Sequence, residues 1–155
     1  MRELKVEMTC GGIADWHRKL PISETMRTVP YEATMIAKLT VEGQDAPSYC
    51  RAIWSGMDEV DDAGHAPTGF GLGSFQDIRT GDRLVFRVDW YSDERQEYKG
   101  TFQVSSGTGK WLNVTGEIEV DLEFCAVHEG ESVAADDPVL AMGFLEGRGT
   151  LVSGT

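Results

Sequence analysis

The residues able to do chemistry at neutral pH are few and scattered. His17, His65 and His128 stand far apart, with no H-E-x-x-H or paired spacing to bring two imidazoles to one ion, so no metal site is expected. Cys10, Cys50 and Cys125 are odd in number and form no C-x-x-C pair. Cys50, inside Y-C-R-A-I-W, reads as a buried, inert thiol because no histidine stands near it in sequence. Ser48, Ser74, Ser105 and Ser106 lack the G-x-S-x-G context of a nucleophile elbow. Two polar side chains remain as catalytic candidates. Tyr98 can donate a hydrogen bond to a substrate carbonyl on which charge develops. Strict alternation turns Arg87 outward, toward an acidic neighbour; a bulge in its strand would bring it into an interior, where it could hold a carboxylate or an enolate.

Two segments imitate ion-binding motifs. Thr108-Gly-Lys-Trp111 has the glycine and lysine of a phosphate loop, but the first glycine is at the wrong offset and Trp111 replaces the magnesium-binding hydroxyl. The acidic run from Asp58 to Gly64 resembles a calcium loop. Counted from Glu59, however, the fifth and twelfth ligand positions are Ala63 and Phe70, so the run reads as a solvated acidic loop.

The elements that must position these residues are strands. Apolar residues recur with period two in Leu4–Met8, Met35–Val41, Leu84–Trp90, Tyr98–Val104 and, most regularly, Leu112–Phe124. Tyr49–Met57 reads as an aromatic-rich strand, Gly69–Phe75 as a glycine-containing one, and Val139–Val152 as a last strand broken by Gly143, Gly147 and Gly149. Turns fall at Arg79–Asp82 and Ser105–Gly109. A short helix is expected only around Ile13–Leu20. About eight antiparallel strands, each with one apolar face, fit an all-β, eight-stranded closed barrel over residues 1–155, because closure removes the exposed edges of an open sheet. Trp54, Phe86, Trp90, Phe102 and Leu122 fall on or near the inward faces. There they either fill the barrel or line a cavity, since eight strands enclose just enough space for either.

The chain of 155 residues carries 14 Lys and Arg against 26 Asp and Glu, a net charge of −12 that repels phosphate backbones and anionic membrane surfaces. Neither a nucleic-acid nor a membrane partner is expected. The first ten residues alternate charged and apolar groups without the apolar run of a signal peptide, so the chain reads as cytoplasmic. The acidic row Glu117, Glu119, Asp121 and Glu123 is the solvated face of its strand.

Four segments in order resemble one known group: G-x-G-x-G-x-F-x-D from Gly69 to Asp77, the Gly81-Asp82 turn, G-T-F at Gly100 to Phe102, and G-T-G-K-W-L-N-V-T-G ending at Gly116. This pattern, over roughly residues 48 to 124, is similar to the allene oxide cyclase and dirigent barrels and to bacterial natural-product cyclases that look like them. The resemblance implies a barrel whose lumen holds a small hydrophobic molecule, assembly as a homodimer or homotrimer, and ring closure or isomerisation with no metal or organic cofactor. On that basis Trp54, Phe86, Trp90, Phe102 and Leu122 are expected to shape a ligand cavity, with Tyr98 and Arg87 as polar groups. An organic ligand of ordinary size calls for at least roughly 300 Å³. The rival expectations are a barrel that binds and carries a hydrophobic molecule without converting it, and a structural protein with a filled lumen.

Overall fold

The computed structural model describes residues 1–92 and 97–154. Its strands are β1 (Arg2–Trp16), the two-residue β2 (Leu20–Pro21), β3 (Met26–Val41), β4 (Ser48–Asp61), β5 (Thr68–Asp77), β6 (Arg83–Ser92), β7 (Tyr98–Gly107), β8 (Val114–Ala126) and β9 (Val139–Ser153). Every pairing is antiparallel, in the order β1-β9-β8-β7-β6-β5-β4-β3, and β1 pairs again with β3 from Val6 opposite Val41 to Trp16 opposite Tyr31. Eight strands therefore close into a barrel, with β2 an extra strand beside β3. Among the described residues no helix is long and apolar enough to cross a membrane.

Alternation decides which side chains enter the barrel. Along β3 the residues Val29, Tyr31, Ala33, Met35, Ala37, Leu39 and Val41 are buried, while every second residue from Glu32 onward is exposed. The mid-barrel layer is aromatic: Phe75, Phe86 and Phe102 are fully covered, with ring centroids 4.6 Å apart for Phe75–Phe86 and 4.8 Å for Phe86–Phe102. Each such burial contributes roughly 1.5–3 kcal/mol of hydrophobic stabilisation.

Three segments depart from the sequence expectation. Residues 13–16 are not helical but continue β1, with Ile13 opposite both Thr34 and Met142. Two hydrogen-bonded neighbours outweigh a weak local helix preference. The run beginning at Asp58 is not a solvated loop at its start: β4 extends to Asp61, and Asp58 and Val60 are both buried. Leu112 lies outside β8 and is exposed, because Gly109–Trp111 form a single 3-10 turn and Asn113 takes a positive φ of 61°.

The two ends of the barrel are finished differently. At the end where β4 and β8 begin, Trp111 is buried and Lys110 Nζ lies 4.5 Å above its ring. Lys110 Nζ also donates to Asp77 Oδ2 at 2.6 Å and to Ser48 Oγ at 2.8 Å. Asp77 Oδ1 accepts from the Arg79 and Thr80 amides, which shapes the Gly81-Asp82 turn. Against the burial that would raise it, Lys110 and these amides hold the Asp77 carboxyl down at about 2. At the other end, the segment joining β8 to β9 is pinned by Lys19 Nζ to the Ala135 carbonyl and by Arg27 to Asp136 and the Ala134 carbonyl. Arg27 also donates to the Asp61 carbonyl at 2.8 Å.

Candidate functional site

A pocket opens at this second end, above the phenylalanine layer. Its rings come from six strands: Trp16 of β1, Tyr31 of β3, Trp54 of β4, Trp90 of β6, Tyr98 of β7 and Phe124 of β8. Met35, Leu122, Leu145 and four alanines complete walls that are almost wholly apolar. Inside, about 60 Å³ is open to the centres of water molecules. The lumen is packed for most of its length, and this apolar chamber falls below the volume expected for an organic ligand of ordinary size. It admits a compact molecule, or the apolar end of a larger one.

Among the described residues, Asp58 is the carboxylic acid lining this chamber. The β4 period carries it inward in line with Trp54 and Val60, and it is only 8% exposed. Its Oδ1 has no hydrogen-bond partner, and among the described residues no ion pair reaches the group. Burial alone pushes its carboxyl up to about 8, so near neutral pH it is mainly an un-ionised acid. Space for it comes from the opposite strand, where a Cβ on Gly69 would lie 2.0 Å from Asp58 Oδ1. Gly71 does the same for the neighbouring rings, since a Cβ there would fall 2.6 Å from Trp54 Cδ1 and 2.7 Å from Tyr31 Oη. The glycines of the G-x-G-x-G run are therefore what admit an acid, a phenol and an indole to one wall.

A short hydrogen-bond chain fixes that wall. Trp90 Nε1 donates to Tyr31 Oη at 3.0 Å, and Tyr31 Oη donates to the Phe70 carbonyl at 3.1 Å. Burial, then the Asp58 charge, raise the Tyr31 pKa against the opposing Trp90 and Trp54 N–H groups. Trp54 Nε1 acts on the same phenol but is too poorly placed for a formed hydrogen bond, and it stays an unpartnered buried donor. Tyr98 packs its ring 4.7 Å from that of Phe124. Burial raises its pKa, opposed by the Ala66 amide at its phenol oxygen, with Asp61 adding to the rise.

Of the residues singled out from sequence, Trp54, Trp90, Tyr98 and Leu122 meet in this pocket. Phe86 and Phe102 do not line it. They lie in the packed layer, where Phe102 stacks edge-on to Trp54 and Trp90 at 5.9 and 5.7 Å. Arg87 stays outside the barrel: its guanidinium pairs with Asp89 at 2.9 Å and lies 4.8 Å over the Phe70 ring. The β6–β7 register does shift between Val85 and Phe86, yet Arg87 keeps the outward parity of its strand. Asp58 and Tyr31 were missed. The signal for Asp58 was its parity with Trp54 and Val60; the signal for Tyr31 was its parity with Val29 and Ala33.

The thiols play no part in the pocket lining. Cys10 and Cys50 are buried and each pushed up to about 12, chiefly by burial, whereas Cys125 is exposed. An aromatic disulfide reagent should modify Cys125 alone in the folded protein and the other two only in denaturant. Rapid reaction of all three without denaturant would contradict the packing around Cys10 and Cys50.

Fold and site together define a closed antiparallel β-barrel with an aromatic chamber at one end and a buried acid in it. Comparison with known proteins finds no matching family model, no matching curated protein and no matching solved structure.

Proposed function

We propose that this protein is a cofactor-independent isomerase or cyclase that moves a proton on a compact, largely apolar substrate held at the barrel mouth. The observation that carries the reading is Asp58, an unpaired carboxyl kept in an apolar chamber at a cost that folding alone does not require. An acid with a pKa near 8 is well matched to giving and retaking a proton at neutral pH. Asp58 would protonate one atom of an unsaturated substrate, and its carboxylate would then remove a proton from another. Atoms balance without a co-reactant, and the outcome is a shifted double bond or a closed ring. The rings of Trp54 and Trp90 would hold the substrate in a folded pose, and the Tyr98 hydroxyl would donate to its oxygen. The likeness of the glycine-rich hairpin to cyclase barrels points the same way.

Small olefins, epoxides and β,γ-unsaturated ketones incubated in deuterium oxide test this. Wild-type protein should rearrange, or exchange deuterium into, at least one of them. Asp58→Asn should lose about 100-fold or more of that rate, and Tyr98→Phe should lose less. Saturable binding with neither exchange nor conversion would replace the enzyme with a carrier. No binding by any of them would remove the pocket as the working site.

A further inference from the structure

We infer that the ligand of this pocket carries a compact organic cation, a tertiary or quaternary ammonium whose small apolar substituents lie against the rings. The inference rests on the chamber being the working site, and it names the substrate class that site takes.

Among the described residues no lysine or arginine lines the chamber, and Lys19, over the Trp16 ring, gives its ammonium to the Ala135 carbonyl, so an anionic ligand would meet chiefly aromatic rings and an acid. A neutral hydrocarbon would satisfy the walls but leave Asp58 Oδ1 as orphaned as before. A cation answers both features. Indole and phenol faces attract it through their quadrupoles, most strongly where water is excluded, and the carboxylate becomes its counter-ion. The chain already places an ammonium over one of these rings, with Lys19 Nζ 5.3 Å from the Trp16 centroid. The net charge of −12 draws cations toward the barrel at long range.

Proton release follows from such pairing. Below about pH 8 the carboxyl of the free protein is protonated, and an ammonium that settles beside it expels that proton. Asp58 then stands as a carboxylate beside the substrate, so for a cationic substrate the two proton transfers run in the reverse order: it removes a proton from one carbon and returns it to another. Among the described residues, the other titratable groups lining the chamber are Tyr31 from β3 and Tyr98 from β7, both with raised pKa values, so neither supplies the released proton; Asp61, which acts on Tyr98, and His65, paired with Asp61 at 3.6 Å, lie outside the lining. The β5 strand presents Gly69 to the carboxyl, and β1, β6, β8 and β9 bring only uncharged side chains to the lining.

Tetramethylammonium chloride, with neopentyl alcohol as a neutral counterpart of similar shape and sodium chloride as the ionic control, provides the test. Tryptophan fluorescence follows occupancy, and a pH indicator in weakly buffered solution follows protons. The ammonium should bind saturably and about tenfold or more tighter than the alcohol. Close to one proton should leave per ion at about pH 6.5, falling toward none well above pH 8. Asp58→Asn should weaken the ammonium about tenfold and abolish release. Phe124→Leu should weaken the ammonium several-fold while sparing the alcohol. Equal affinity for alcohol and ammonium would overturn the inference, as would ammonium binding without proton release. In either case the chamber still binds, so the isomerase reading stands or falls on its deuterium test. If neither probe enters the chamber, both fall.

Discussion

Asp58→Asn is expected to make the protein more stable, by a margin that widens as pH rises from about 4 to 8. In the unfolded chain this carboxyl titrates near 3.9, and in the barrel near 8. Across that window the folded state binds more protons than the unfolded one, so stability falls with pH, by at most about 1.4 kcal/mol per unit from this group. Below both values the carboxyl is neutral in each state and its contribution vanishes. Asparagine cannot ionise, so the variant escapes the slope and should gain on the order of a few kcal/mol by pH 8. Near pH 4 it should show no gain, or a small loss from its unpaired amide. Urea unfolding of both proteins at several pH values measures the difference. A difference that stays flat with pH would mean that Asp58 is solvated in the folded state.

Lys110→Met should act in the opposite direction. It removes the cation from Asp77, which is 4% exposed, and the donor from Ser48, which is 3% exposed, while leaving both polar groups inside. Breaking one side of a buried pair costs about 3–5 kcal/mol. Here the loss should be on the order of 2–4 kcal/mol, because about a third of the Lys110 side chain is open to water. The pH dependence distinguishes a lost ion pair from lost packing. The folded Asp77 carboxyl lies near 2, below its unfolded value, so its stabilisation is present above about pH 4 and disappears as pH falls through 2. Wild type and Lys110→Met should therefore converge in acid. A deficit unchanged down to about pH 2 would assign the loss to packing over Trp111.

The barrel was legible in the sequence because its strands carry one apolar face each and the period survives almost everywhere. It failed where charge was read ahead of position. Asp58 opens an acidic run, and a carboxylate is ordinarily placed in water. The two residues before it in the inward series, Trp54 and Gly56, and Val60 after it, carried the better information. Residues 13–16 misled for a different reason. Short segments are set by their neighbours across the sheet, and pairing with Thr34 and Met142 is invisible in local preference. Three of the five named cavity residues, Trp54, Trp90 and Leu122, meet at the mouth with Tyr98, whereas Phe86 and Phe102 face inward at a depth that period alone does not give. Arg87 shows the limit of reasoning from a bulge: the irregularity exists one residue away, and the guanidinium still points outward.

Trp111 beneath Lys110 makes the chamber a blind alley, since the far end of the barrel is stoppered and the middle is filled by Phe75, Phe86 and Phe102. Among the described residues, the chamber is open only at the end where Trp16, Trp90 and Tyr98 stand. On the isomerase reading proposed above, room for a single compact guest means that a departing product must clear the mouth before the next substrate enters. Product would then compete with substrate for the same seat, and turnover would be paced by its escape past Trp16, Tyr98 and the pinned segment between β8 and β9.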